Sequence, residues 1–140
     1  MILVTRRESF SSSHRLYNPD FSDSENERIF GKCNNLNGHG HNYILEVVVE
    51  GEINPDTGYL IDLKLLKRII RENVISKVDH KNLNLDVDFL RGKIPSAENI
   101  AVGIWEQLVD KLPSGNLHSV KLFETENNYV EYKGKIKSES

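Results

Sequence analysis

The sequence predicts an α+β fold of order ββααββ, with two helices packed on one face of a four-stranded antiparallel sheet. Three observations lead there. Tyr43, Leu45, Val47 and Val49 alternate with Asn42, Glu46 and Glu50, the period-two pattern of a half-buried strand. Two later segments carry apolar residues at helical spacing. The chain then ends in two β-rich runs joined by Glu126-Asn127-Asn128, which reads as a hairpin.

The chain has 140 residues, a length suited to one domain over 1–140 with its own core. Residues 2–13 mix β-branched, aromatic and polar side chains and form a first strand leading to His14. Residues 18–28 are rich in Asp, Ser, Asn and Glu and read as a long loop with room for one helical turn. Asn54-Pro55-Asp56-Thr57-Gly58 is turn chemistry after the second strand, since Pro presets φ and Gly permits positive φ. Asp62 caps a helix running to about Lys77, with Leu63, Leu66, Ile70 and Val74 on its apolar face and Leu65 and Ile69 widening it. A loop holding Asp79-His80-Lys81-Asn82 follows. Ser96 caps the second helix, which buries Ile100, Ile104, Trp105, Leu108 and Leu112 and stops at Pro113 to Gly115. Residues 117–125 and 129–133 are the last two strands. Residues 135–140 are charged and small and are expected to fray. One sheet face is left without helices, so it must be polar or be covered by oligomerisation.

Hydrophobic content of 38% and charged content of 28% suit a soluble globular chain. A net charge of −3 offers no electrostatic pull toward nucleic acid or an anionic membrane, so neither is expected as a partner. One cysteine cannot form an internal disulfide, and the N-terminal residues contain no apolar signal core. The expected setting is cytoplasmic.

The chemistry concentrates around Gly38-His39-Gly40-His41, which begins five residues after the single cysteine, Cys33. Extending the strand register back from Tyr43 puts His41 and His39 on one face. His14, at the end of the first strand, is placed to join them across an antiparallel pair. Three neutral imidazoles with an open fourth position are the catalytic zinc arrangement; the plainer alternative is unrelated turn histidines beside two glycines. Cys33 sits in Gly31-Lys32-Cys33-Asn34-Asn35, a polar setting unsuited to core packing, where a nearby cation or metal would favour the thiolate. Asp79-His80 pairs a carboxylate with an imidazole, either a proton-transfer unit or a solvated loop pair. Glu124 shares a strand face with Val120 and Leu122. There it needs a partner, such as a ligand edge with adjacent N–H donors, unless the strand has already reached water. Glu98 could act similarly, although the helix N-terminus alone would favour an acid there. His118 has no motif around it and reads as surface.

These residues resemble the signature of the 6-pyruvoyltetrahydropterin synthase family. The resemblance is carried by Cys33-Asn34-Asn35-Leu36-Asn37-Gly38-His39-Gly40-His41-Asn42-Tyr43, with Ser11-Ser12-Ser13-His14-Arg15-Leu16 before it. Asp79-His80-Lys81-Asn82-Leu83, Ser96-Ala97-Glu98-Asn99 and Glu124-Thr125-Glu126-Asn127-Asn128 follow in order. It implies the tunnelling fold (T-fold), Zn²⁺ on His14, His39 and His41, and Cys33 as general base with Asp79 and His80 as its relay. It also implies Glu124 on the pterin, and a homohexamer of two trimers with active sites between subunits. Ala97 departs from the threonine common in relatives, which matters only if a hydroxyl there serves the pterin.

The implied reaction converts 7,8-dihydroneopterin triphosphate to 6-pyruvoyltetrahydropterin and triphosphate in tetrahydrobiopterin biosynthesis. Oxidation and reduction occur within one molecule, in keeping with the absence of a Gly-rich dinucleotide motif. The nearest rival is 6-carboxytetrahydropterin synthase, which shares the substrate but releases acetaldehyde. The Asn-Asn-x-Asn-Gly insert between the cysteine and His-Gly-His favours the pyruvoyl product, whereas Asp86-Val87-Asp88-Phe89 resembles the rival group. A non-catalytic zinc- and pterin-binding module is an alternative of another class. An aldolase or cyclohydrolase on the same fold fits less well, because those relatives lack this Cys and His-x-His arrangement.

Overall fold

A computed structural model describes residues 1–135. The expected fraying of the C-terminal residues lies, beyond Lys135, outside the described residues. Strand β1 (Ile2–His14) is followed by helix α1 (Asp23–Phe30), a 3₁₀ turn (Gly31–Asn34) and strand β2 (His39–Gly51). Helix α2 (Leu63–Ile70) runs through a π turn (Arg71–Ile75) into α3 (Ser76–Val78). Then come strand β3 (Lys81–Asn82), helix α4 (Ala97–Leu108) and strands β4 (Asn116–Phe123) and β5 (Tyr129–Tyr132).

The sheet order is β3-β1-β2-β4-β5. The β1–β2, β2–β4 and β4–β5 pairs are antiparallel, as expected. The expectation of four antiparallel strands is corrected by β3, which pairs parallel to β1 through Ser12↔Lys81 and Ser13↔Asn82 and makes a five-stranded mixed sheet. Two residues carry no readable period. Their place is set by long-range backbone bonds, from His80 N–H to the Ser11 carbonyl (2.6 Å) and from Leu83 N–H to the Ser13 carbonyl (2.8 Å).

The 18–28 loop also contains more order than expected. Residues 23–30 form α1, capped by the Ser22 hydroxyl on the Glu25 N–H, with Asp23 and Glu25 in its first turn. Both expected caps are present: Asp62 accepts from the Lys64 N–H (2.9 Å) and Ser96 from the Asn99 N–H (3.2 Å). Helix α4 stops at Leu108, and Leu112 packs against the core from beyond its end.

The core is a sheet face against two helical stripes. Tyr43, Leu45, Val47 and Val49 of β2 and Val120 and Leu122 of β4 meet Leu66, Ile70, Val74 and Val78, and also Ile100, Ala101, Ile104 and Leu108; all are fully buried. Leu66, Ile70, Val74 and Val78 recur strictly every four residues. In a continuous α-helix each such step overshoots by roughly 40°. The wider π turn takes that drift back and keeps Val78 over the sheet. Asn73 donates its side-chain amide to the Ile69 carbonyl there (2.8 Å), satisfying an acceptor loosened by the change of register. The opposite sheet face is largely polar, with Thr5, Arg7, Ser9, Ser11 and Ser13 on β1 and an Arg7–Glu46 ion pair.

Ile104 is fully buried between α4 and the sheet. Ile104→Ala is expected to cost about 3 kcal/mol through lost transfer energy and a residual cavity. Urea denaturation at fixed protein concentration measures it, and a cost below about 1 kcal/mol would contradict this packing.

Candidate active site

The β1–β2 register places His14 opposite His39, Ser12 opposite His41 and Phe10 opposite Tyr43. All six side chains therefore point to the helix-covered face. The expected histidine triad is assembled: ring centroids lie 4.7 Å apart for His14–His39, 5.1 Å for His14–His41 and 4.7 Å for His39–His41. Glu124, just past the end of β4, completes a group whose four candidate donor atoms all lie within 4.8 Å of one another.

The protonation pattern follows from the partners. His14 is fully buried, and its Nδ1 lies 2.8 Å from the Pro95 carbonyl, so Nδ1–H donates there. This leaves the His14 Nε2 lone pair facing His39 Nε2 at 3.2 Å. Tyr43 Oη also stands 3.3 Å from His14 Nδ1. Burial is the main reason that the His14 and His41 imidazolium forms are disfavoured, and the charge of His39 adds to it. The Pro95 carbonyl and Glu124 partly offset this for His14, and Glu124 does so for His41. Burial likewise raises the Tyr43 phenol well above its ordinary range, assisted by Glu124 and Cys33. His39 Nδ1 and His41 Nε2 are buried without a hydrogen bond. His41 Nε2 does approach Glu124 Oε1 to 3.1 Å, close enough for an ion pair but not aligned for a hydrogen bond. Buried ring nitrogens without partners are costly. Three imidazoles with convergent ring nitrogens and one carboxylate form a donor set that fits a divalent transition ion such as zinc.

Gly38 permits this approach. Its φ is +74°, and a Cβ there would lie 2.9 Å from the His14 carbonyl oxygen. The backbone before His39 can therefore pass close to β1 only as glycine. Gly40 meets no such restriction, since the nearest atom to an added Cβ would be 3.7 Å away.

Cys33 lies in the 3₁₀ turn, half-buried and free. With His39, Lys32, Glu27, Asn34 and Asn35 it lines a cavity of about 460 Å³. The turn is fastened to the end of β1. Leu16 N–H donates to the Cys33 carbonyl (2.8 Å), and the Arg15 guanidinium donates to the Asn34 carbonyl (3.0 Å) and side chain (2.9 Å). Arg15 also stacks over Tyr17 at 4.1 Å. The thiol therefore stands beside the histidine cluster.

Asp79 and His80 are held elsewhere. Ser11 N–H donates to Asp79 Oδ1 (2.9 Å), and His80 Nδ1 lies 3.0 Å from Asp79 Oδ2. The Ser11 amide, and then His80, hold the Asp79 carboxyl below its ordinary range, although burial opposes them. His80 has φ +59°, a left-handed conformation uncommon for a side chain other than glycine, and its ring is 84% exposed. It lines a cavity of about 390 Å³ with Ser11, Ser12, Gly40, His41 and Asn82, distinct from the Cys33 cavity. Each cavity reaches the histidine group through a different member, His39 on the Cys33 side and His41 on the His80 side. Glu98 is exposed in the first turn of α4, outside the four-residue donor group. His118 is half-buried, with Nδ1 3.7 Å from Glu50.

Two members of this site escaped the sequence reading. Tyr43 was signalled by its place two residues after His41 on the same face. The Pro95 carbonyl gave no signal, because only folding brings it to β1.

The family model for 6-pyruvoyl tetrahydropterin synthase matches residues 3–135. The chain belongs to this family. It is 52% identical over 131 residues to the human protein named 6-pyruvoyl tetrahydrobiopterin synthase, covering 94% of this chain and 90% of that one. To the Dictyostelium discoideum protein of the same name it is 48% identical over 133 residues, covering 95% and 96%. The structure of the Caenorhabditis elegans 6-pyruvoyl tetrahydropterin synthase superposes with a TM-score of 0.91 at 41% identity, covering 96% of each chain. The family's T-fold is the architecture observed here.

A pH dependence follows for the metal-free protein. The folded pKa values of His14 and His41 lie below the ordinary value of 6.5, so the unfolded chain binds protons first as pH falls. This contribution to stability is fully present above about pH 6.5 and is lost as pH falls below it. Thermal melting of chelator-treated protein is expected to show a lower midpoint at pH 5.5 than at pH 7.5. An equal or higher midpoint at pH 5.5 would contradict the disfavoured charging of His14 and His41.

Proposed function

We propose that this chain catalyses the conversion of 7,8-dihydroneopterin triphosphate to 6-pyruvoyltetrahydropterin and triphosphate. This is a carbon–oxygen lyase reaction in tetrahydrobiopterin biosynthesis. The observation that carries the proposal is a thiol lining the same cavity as His39 of the histidine triad. Its support from relatives is the name borne by the human protein, which is 52% identical.

On this reading His14, His39 and His41 hold Zn²⁺. When bound, the ion acts as a Lewis acid toward the substrate's side-chain oxygens. The chain's own groups do the rest. His14 is locked in the required tautomer by the Pro95 carbonyl, as metal-binding histidines usually are by an outer partner. Cys33 Sγ removes a proton from the substrate side chain as thiolate. Glu124 is near enough to the triad to be a fourth ligand. We assign it instead to the N–H edge of the pterin, so that the three histidines would hold the metal. Glu98 is assigned to the same substrate from the start of α4.

The Asp79–His80 pair lines a different cavity from the Cys33 of its own chain. We assign it to the Cys33 of a neighbouring subunit, where it passes protons to and from the thiol. This fits a homohexamer built from two trimeric rings. Among the described residues β3 and β5 form the two edges of the sheet, and its helix-free face is largely polar. The domain is taken as 1–140, and the setting as cytosolic on the strength of a single free cysteine.

Purified zinc-loaded protein is expected to release triphosphate and 6-pyruvoyltetrahydropterin, detected by mass spectrometry. Acetaldehyde with a 6-carboxypterin would replace this reading by the carboxy-forming one, and bound zinc and pterin without turnover would leave a binding module. Cys33→Ala is expected to lower kcat by about 10² or more while zinc content is unchanged.

Shared sites make a second prediction. Cys33→Ala and His80→Ala homo-oligomers, each nearly inactive, are expected to regain activity when unfolded together and reassembled, because some interfaces then carry both wild-type groups. Complementation absent in demonstrably mixed oligomers would place the relay within one chain.

A further inference from the structure

We propose that Ser12 is a positioning residue for Asp79 and His80, acting through the carbonyl of Val78. The inference rests on the reading of that pair as the proton relay and deepens it.

Position 12 is where the sequence would default to an apolar side chain. It lies on the core face of β1 between Phe10 and His14, opposite His41. A serine that is only 6% exposed in such a place needs a hydrogen-bond partner. It has one: Ser12 Oγ donates to the Val78 carbonyl at 2.6 Å. Val78 is fully buried and is the last residue of α3, so its carbonyl is one of those a helix end leaves without an intrahelical donor. The bond between them is buried.

The chain turns sharply immediately after this peptide. Asp79 leaves the helix with φ −68° and ψ 130°, and His80 adopts φ +59°. Besides the β1–β3 pairing of Ser12 with Lys81 and Ser13 with Asn82, three contacts tie the segment to β1: Ser11 N–H to Asp79 Oδ1 (2.9 Å), His80 N–H to the Ser11 carbonyl (2.6 Å) and Leu83 N–H to the Ser13 carbonyl (2.8 Å). On the β1 side these use backbone groups. The Ser12 bond is made by a side chain, and it holds the peptide plane from which Asp79 departs. Without it the Val78 carbonyl is unpaired in the core, and the 78–79 peptide rotates to seek another donor. That rotation moves both members of the relay, and a misplacement of about 1 Å can lower a rate by about 10².

The test compares zinc-loaded parent, Ser12→Ala, Ser12→Thr and Ser114→Ala by steady-state kinetics, zinc content and amide hydrogen exchange over residues 79–83. Ser114→Ala removes a comparable bond at the far end of the sheet, from Ser114 Oγ to the Leu60 carbonyl (2.8 Å). Ser12→Ala is expected to lower kcat about tenfold or more, with KM and zinc content within about twofold, and to raise exchange over 79–83 about tenfold. Ser12→Thr, which keeps the hydroxyl, restores most of both, and Ser114→Ala changes neither. If Ser12→Ala does not assemble, Ser12→Cys, of similar size but a weak donor, carries the same test. Exchange over 79–83 unchanged in the Ser12 variant overturns the inference, as does a kcat within about twofold of parent despite faster exchange. A parent that does not turn over dihydroneopterin triphosphate defeats the relay reading by itself. The exchange measurement then decides separately whether Ser12 holds Asp79 and His80.

Discussion

The antiparallel pairing of β1 with β2 is the constraint on which the rest depends. Its register sets His14 against His39 and Ser12 against His41, and so gathers the histidines of the donor group on one face. A slip of one residue would turn every one of those side chains to the opposite face. The register is held from two ends. Phe10, Tyr43, Leu45, Val47 and Val49 must enter the core, and Gly38 must pass close beneath the His14 carbonyl. Packing and site geometry thus require the same alignment, and hydrophobic burial of about 1.5–3 kcal/mol per large side chain enforces it.

Burial has a second consequence at this end of the sheet. It favours neutral imidazoles, which are the metal-binding form, and a protonated Tyr43. The same burial leaves two ring nitrogens without hydrogen-bond partners. A cluster that keeps lone pairs unpartnered in the interior is less stable than an apolar replacement would be, and a bound cation relieves that cost. The site is therefore built at the expense of local stability, as functional sites often are.

The end of β1 serves two chemistries at once. On its helix side His14 joins the donor group. Through Ser11, Ser12 and Ser13 the same few residues hold the segment from Val78 to Leu83. Cys33 is fastened to the same strand end through Leu16 and Arg15. Thiol, triad and Asp79–His80 are all referenced to one rigid strand, although the thiol and the pair open into separate cavities.

Much of this was legible in the sequence because it is local. Period-two alternation fixed the face of His39, His41 and Tyr43, and helical spacing and side-chain caps located α2 and α4. Motif order pointed to the family and to the histidines, Cys33, Asp79, His80 and Glu124. Other features depend on contacts between residues far apart in the chain, which no local pattern records. Among these are β3, whose two residues pair with β1, and the Pro95 carbonyl that sets the His14 tautomer. The donation of Ser12 to Val78, the nearness of Glu124 to His41 and the separate cavities of Cys33 and His80 are of the same kind. By itself the sequence determined which residue types and which faces were available for chemistry, because side-chain direction follows from backbone period. Only the tertiary structure decided which of those residues meet, because that depends on how strands and helices far apart in the chain bury one common core.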